Sequence, residues 1–264
     1  MTSSFLYVIA IESDQLNFQI FFNDVPVCQA LSGGTVNSET KVNQWIVEGT
    51  NLLEIRLGLP SGSGPQAQTD NSSSFQLKLF GGEHGRLPDP QDALVEFIWD
   101  VSAQPLGEPM ATVFTKEFQA EISFGRWHWQ DVPPAPLTES DKQELVQLIS
   151  KIHRALSNED VSALTELLKL HSEEMARALD IEEEVLIMGQ KEFFSSLFES
   201  DGWRMEPLEE SALVFKPVAG GRLVEVTRAG GLALLRGESS GGQYAMSFMF
   251  GRVAGEWRVL RPGS

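Results

Sequence analysis

The chain has 264 residues, of which 42% are hydrophobic and 22% are charged, a balance typical of a globular protein. Its 37 acidic and 20 basic residues give a formal net charge of −17, which argues against nucleic acid and anionic membranes as partners and favours a basic protein. No segment reaches the ~20 apolar residues of a membrane-spanning helix. The N-terminus lacks signal-peptide features, and the single cysteine, Cys28, fits a reducing compartment, so we expect a cytoplasmic protein.

The first half of the sequence predicts short β-strands. Apolar and aromatic runs of strand length lie at 5–11, 16–22, 42–47, 52–59, 75–80, 94–99 and 111–124. In one of them, Leu53, Ile55 and Leu57 alternate with polar residues, which is the period of a strand with one buried face. No helical pattern separates these runs. We therefore expect residues 1–130 to form an all-β antiparallel sandwich of jelly-roll type.

A proline-rich segment then marks a boundary. Pro133, Pro134 and Pro136 fall within four positions, and neither a helix nor a strand ladder can continue through them. We predict a linker over 131–137 and a second domain over 138–264.

The second domain begins with helical patterns and ends with strand patterns. Thr138 and Asp141 have the spacing of a helix start, and Asn158 is positioned to end that helix. Two further helices are predicted over 161–178 and from 181 or 185 to 198. Glycine-punctuated strands are predicted at 212–216, 223–228, 232–236, 244–252 and 256–260. This order predicts an α+β domain with three helices packed on a curved antiparallel sheet.

Two stretches of this half resemble the nuclear transport factor two-like superfamily, an α+β cone of the cystatin-like kind. They are Ala-Leu-Ser-Asn-Glu-Asp-Val-Ser-Ala-Leu at 155–164 and Gly-Glu-Trp-Arg-Val at 255–259. The resemblance implies helices in the concave face of the sheet. It also implies a possible acid–base pair between His153 and Asp160 or Asp180.

Catalytic, metal and cofactor motifs are absent from the sequence. It contains no G-x-S-x-G, H-E-x-x-H or C-x-x-C pattern, and its four histidines have no clear nucleophilic partner. Cys28 fits a small core residue. We expect no catalytic residue, no bound metal and no cofactor.

An acidic cluster is the sharpest candidate for a binding site. Six carboxylates fall within twelve residues: Glu173, Glu174, Asp180, Glu182, Glu183 and Glu184. A solvated helix face explains such clusters in many proteins. Here, however, residues 138–210 carry 18 acidic and 7 basic residues, and apolar residues such as Ile181, Val185 and Phe193 adjoin the cluster. Carboxylates around exposed apolar anchors suit an interface with a basic protein partner.

In charge and in its lack of motifs, the whole chain resembles cytoplasmic bacterial immunity proteins, which neutralise secreted nuclease toxins. That resemblance implies carboxylates that imitate phosphates or block a basic active site. One alternative is a small-ligand-binding or enzymatic cone with a pocket lined by His153, Trp203, Tyr244 or Trp257. Another is a carbohydrate-binding-like accessory role of the sandwich through Trp45, Trp99 or the patch at 127–129.

Overall fold

A computed structural model describes residues 5–59, 73–83, 92–100 and 112–263. The chain divides into two compact units, Met1–Arg126 and Trp127–Ser264. The described part of the first unit is built from strands, and the second combines helices with antiparallel strands. The predicted change from an all-β to an α+β region is therefore seen.

Within its described residues, the first unit contains two four-stranded antiparallel sheets with the orders β4-β1-β6-β7 and β3-β2-β5-β8. The strands are β1 Phe5–Asp14, β2 Asn17–Phe22, β3 Val25–Ala30, β4 Val36–Lys41, β5 Gly49–Gly58, β6 Ser74–Glu83, β7 Val95–Asp100 and β8 Thr112–Ala120. Rings from different sheets meet in the core, with centroids 5.3 Å apart for Phe18 and Phe75. A jelly roll places its first strand beside its last. Here β1 lies between β4 and β6, so the predicted jelly-roll connectivity is wrong.

The strand predicted at 42–47 is also wrong, because this segment contains a 3-10 turn over Asn43–Trp45. The Asn43 side chain holds the turn against β1: its Oδ1 accepts from the Tyr7 main-chain N–H at 2.6 Å, and its Nδ2 donates to the Phe5 carbonyl at 2.9 Å. The strand that precedes it, β4, has a polar sequence and pairs with β1 at an outer edge. Ala111, the first residue predicted for the last strand, lies outside the described residues.

The second unit contains five helices within its described residues. They are α1 His128–Asp131, α2 Glu139–Ser157, α3 Val161–Leu167, α4 Lys169–Leu179 and α5 Glu183–Phe198. The predicted start of α2 is confirmed, because the Thr138 hydroxyl accepts from the Asp141 main-chain N–H and Asn158 is the C-cap. The single helix predicted over 161–178 is two helices, which meet at the buried Leu168.

The strands of the second unit form two antiparallel sheets with the orders β10-β11-β14-β15 and β13-β12-β9. The strands are β9 Arg204–Met205, β10 Leu213–Val218, β11 Leu223–Arg228, β12 Leu235–Ser239, β13 Gly242–Met246, β14 Phe248–Val253 and β15 Glu256–Pro262. The strand predicted over 244–252 is thus interrupted at Ser247. The helices bury one apolar core against these strands, formed among others by Ile149, Ile152, Leu197, Val226 and Phe250. Among the described residues, no helix is both long and apolar enough to cross a membrane.

Candidate functional site

Helices α4 and α5 form the acidic hairpin on which the predicted site lies. Asp180 ends α4 in the left-handed conformation, with φ 55° and ψ 50°, and the Ile181 N–H donates back to the Ala176 carbonyl at 3.1 Å. Glu182 is the N-cap residue of α5, and Glu183 and Glu184 lie in its first turn. Negative side chains are favoured there because a helix N-terminus carries partial positive charge. The N-terminus of α5 therefore stabilises the negative charge of Glu183 and Glu184.

The structure separates the six predicted site residues into two environments. Asp180, Glu182 and Glu184 are exposed, and Glu173 and Glu183 are half-buried. Glu174, in contrast, has 0% exposure. The expectation that Glu174 belongs to an exposed acidic surface is therefore wrong, and the remaining acidic surface centres on the turn between α4 and α5.

Several hydrogen-bond donors compensate for the burial of the Glu174 carboxylate. Its Oε1 accepts the main-chain N–H of His128 at 2.6 Å and faces the His128 Nδ1 at 2.9 Å. Arg177 approaches the same oxygen at 3.3 Å, and Arg261 donates to Oε2. A carboxylate in an apolar interior is tolerated when charge and hydrogen bonds compensate for its lost hydration. The role of Glu174 in this structure is internal pairing.

Trp127 completes this buried cluster. Its indole has 0% exposure, and the guanidinium carbons of Arg261 and Arg177 lie 4.8 Å and 5.2 Å from the ring centroid. Trp129 is also buried. Trp127, His128 and Trp129 are the aromatic patch for which the sequence left open a carbohydrate-binding-like role. The structure instead places both indoles in the interior.

His171, on α4, is held neutral near the same cluster. Burial, aided by the positive charge of Arg261, lowers the pKa of His171 to about 4. Its Nδ1 lies 3.4 Å from the Leu260 carbonyl oxygen. The His171 side chain also lines the groove described next.

An apolar groove of about 580 Å³ runs beside the acidic turn. One wall comes from α5 and from Ile181, two residues before it, and includes three exposed apolar side chains: Ile181 at 41%, Val185 at 53% and Phe193 at 51% exposure. The opposite wall is the chain at 245–248 and the end of β15. Exposed apolar side chains gathered in one groove are a feature of interaction sites. These three apolar residues are anchors that the sequence predicts, whereas nothing in the local sequence indicates the strand wall.

The other residues that the sequence offers as site candidates form bonds and contacts within their own units. The His153 Nε2 lies 2.8 Å from the Glu206 carbonyl oxygen, whereas Asp160 accepts from the Ala163 N–H as the N-cap of α3. The Trp203 indole donates to the Leu156 carbonyl at 3.2 Å and contacts the ring of Tyr244. The side chains of His153 and Asp160 thus each bond to a main-chain group, and neither bond joins His153 to Asp160.

In the first unit, Trp45 and Trp99 are each 3% exposed, so neither offers a ring for sugar stacking. Cys28 is half-buried on β3, and burial raises the pKa of its thiol, which keeps it protonated at neutral pH. Among the described residues, no group of three or more His, Cys, Asp or Glu side chains could hold a metal ion.

Comparison with known proteins yields no assignment: no family model matches the chain, and a search of curated proteins returns no match.

Proposed function

We propose that this protein is a non-catalytic acidic binding protein that neutralises a basic protein partner, and that it acts as an immunity protein against a secreted nuclease-type toxin. The observation that carries the proposal is the apolar groove beside the carboxylates of the α4–α5 turn. Apolar anchors give an interface affinity, and a surrounding field of one sign speeds encounter with a partner of the opposite sign.

The charge balance around the groove supports a basic partner. Residues 169–200 carry eight acidic side chains and three basic ones, counted along the sequence. Of those three, Arg177 is already engaged with Glu174. The excess of carboxylates therefore remains large at the turn, where Asp180, Glu182 and Glu184 are exposed. A nuclease that binds phosphates presents the complementary basic surface.

The test is co-expression of the chain with nuclease toxin domains that its source organism secretes, with cell survival and nuclease activity as readouts. We expect protection by the wild-type chain and reduced protection by Glu182→Lys combined with Glu184→Lys. The matched control is Glu209→Lys combined with Glu210→Lys, which changes the net charge equally at two other exposed positions. If the wild-type chain protects against none of these toxins, the immunity role is contradicted.

A second candidate function is small-ligand binding, favoured by a cavity of about 610 Å³ in the second unit. Its lining is mostly apolar and includes Trp257 and the guanidinium-bearing Arg222 and Arg252. Arg252 Nη2 is engaged with Asp141 and Glu144, each at 2.8 Å. Binding of small carboxylates, measured through Trp257 fluorescence with Trp257→Phe as the control, tests this alternative.

A further inference from the structure

We infer that the outer edge of β13 receives an extended segment of the basic partner as an added β-strand, and that this pairing holds the partner in the apolar groove. The inference rests on the proposed function and specifies how the partner binds. It follows from the position of β13, the direction of its hydrogen-bonding groups and the chemistry of the groove walls.

β13 is an edge strand beside the groove. In the order β13-β12-β9 it pairs with β12 on one side, and its other side has no strand partner within the described part of the chain. β15, which pairs with the neighbouring β14, ends at Pro262. The Gly263 N–H donates to the Ser247 carbonyl at 2.8 Å, which continues the pairing of β14 with β15 by one residue. Beyond this bond, no described strand pairs with the outer side of β13.

The alternation of an antiparallel ladder gives the direction of the backbone groups of β13. Gly242 faces Ser239 across a two-residue loop, the position that hydrogen-bonds in such a hairpin. Pairs alternate along an antiparallel ladder, so Tyr244 and Met246 also bond to β12. Gln243 and Ala245 therefore direct their N–H and C=O groups to the outer edge. Both residues are exposed.

The bond at Ser247 provides an independent check of this alternation. Because the Ser247 carbonyl accepts from the Gly263 N–H, it points to the side on which β15 lies, which is the side opposite β12. Two and four residues earlier along the strand, Ala245 and Gln243 have the same direction under a period of two. The hairpin end and the Ser247 end thus predict the same orientation.

The edge also lacks the features that protect natural strand edges. Proteins usually protect exposed edges with lysine, proline or inward-pointing charges. The sequence of β13, Gly-Gln-Tyr-Ala-Met, has none of them. An unprotected edge beside exposed apolar side chains is the arrangement used when an extended peptide is added to a sheet.

The groove walls define the partner's side chains. In an added strand, the partner residues that face the helices would contact Val185 and Phe193. Because side chains alternate along a strand, this favours an apolar partner residue at every second position. Glu182 and Glu184 flank this wall in sequence and are exposed, with Lys191 as the cation of α5. The segment that fits is therefore an extended stretch in which apolar residues alternate with lysine or arginine.

The test uses a synthetic peptide of about ten residues that alternates valine and lysine. Its binding is measured by calorimetry with three proteins: wild type, Ala245→Pro and Ala245→Val. Proline removes one outward N–H and leaves the bonds to β12 in place, whereas valine keeps the N–H and is the matched control. Because both variants change the same side chain, the comparison isolates the N–H, and we expect an affinity at least about tenfold lower for Ala245→Pro than for Ala245→Val.

A second arm needs no variant protein. The same peptide with N-methyl groups on every amide cannot donate a hydrogen bond to β13 along either of its edges, so we expect its affinity for wild type to fall at least about tenfold as well. This arm decides the question if Ala245→Pro does not fold. Equal binding of the methylated and unmethylated peptides, or no binding of either, would overturn strand addition.

Two further outcomes separate the inference from the proposed function. If Glu182→Lys with Glu184→Lys abolishes toxin protection while Ala245→Pro retains it, the acidic surface binds the partner without strand addition, and only the further inference fails. If wild type is a dimer in sedimentation and Ala245→Pro is a monomer, the edge joins two copies of this chain, which also contradicts the inference.

Discussion

Glu174 and Arg261 form an ion pair in which both side chains have 0% exposure, although 87 residues separate them in the sequence. The pair joins α4 to β15, and the Trp127 ring lies against the Arg261 guanidinium. Burial lowers the pKa of Arg261, and the charge of Glu174 opposes that effect. The pair thus joins two elements that both contribute residues to the groove.

Glu174→Ala should strongly destabilise the second unit. Removing one partner of a buried ion pair leaves the other charge without compensation, which costs about 3–5 kcal/mol. Urea unfolding followed by tryptophan fluorescence measures the loss. The neighbouring Glu173→Ala is the control and should change the free energy of unfolding by no more than about 0.5 kcal/mol. Equal effects of the two substitutions would contradict the pairing.

The pKa of His171 predicts a pH dependence of stability. The folded chain has a His171 pKa of about 4, whereas an unfolded histidine has a pKa of about 6.5. Between these values the unfolded chain binds more protons, so the free energy of unfolding falls as pH falls from about 6.5 to about 4. Below that range the His171 contribution is constant.

Urea unfolding of wild type and His171→Gln at several pH values measures this contribution. The difference in unfolding free energy between the two proteins should change across the pH range from about 6.5 to about 4. A difference that stays constant throughout this range would contradict the neutral state of His171 at pH values above about 4.

Thr138→Ala should weaken the start of α2. The Thr138 hydroxyl and main-chain N–H both bond to Asp141, and they are the main causes of the lowered pKa of that carboxyl. Loss of such a cap costs about 1 kcal/mol. Stability from Asp141 is present at neutral pH and is lost as pH falls through its lowered pKa, so the acid loss should be smaller in the variant.

The control for Thr138→Ala is Ser140→Ala, which changes an exposed residue in the same turn and should have little effect on stability. An effect of Ser140→Ala as large as that of Thr138→Ala would argue against the cap.

Two glycines of the second unit should respond oppositely to alanine. A Cβ at Gly237 would lie 2.7 Å from the Trp203 ring and 3.0 Å from the Arg204 carbonyl oxygen, so Gly237→Ala should destabilise by about 1–3 kcal/mol. A Cβ at Gly189, inside α5, meets nothing within 4 Å. Gly189→Ala should therefore stabilise by about 0.5–1 kcal/mol. Thermal unfolding of both variants measures these effects, and destabilisation by Gly189→Ala would contradict the open helix face.

Local patterns allowed most helices and strands to be predicted from sequence. The alternation of Leu53, Ile55 and Leu57 predicts β5, and the spacing of Thr138 and Asp141 predicts the start of α2, because both depend on nearby residues. The 42–47 segment was misassigned because its apolar residues resemble a strand. The Asn43 side chain, bonded to β1, instead fixes a turn.

The candidate site could be predicted only in part for a similar reason. The acidic run identified the turn at 180–184, but charge counting gave Glu174 the same role as its exposed neighbours. Its partner Arg261 lies far along the chain, and nothing in the local sequence links the two. The strand wall at 245–248 was missed because a free edge depends on sheet order, which local patterns do not determine.

The most direct measurement is the association rate constant between this protein and any nuclease toxin that the co-expression test finds it to neutralise, determined at increasing ionic strength. If the exposed carboxylates of the α4–α5 turn attract a basic partner, the rate constant should fall at least about tenfold between low and high salt. It should also fall for Glu182→Lys with Glu184→Lys, and much less for Glu209→Lys with Glu210→Lys. A rate constant that is independent of salt and equal in both double variants would contradict the account.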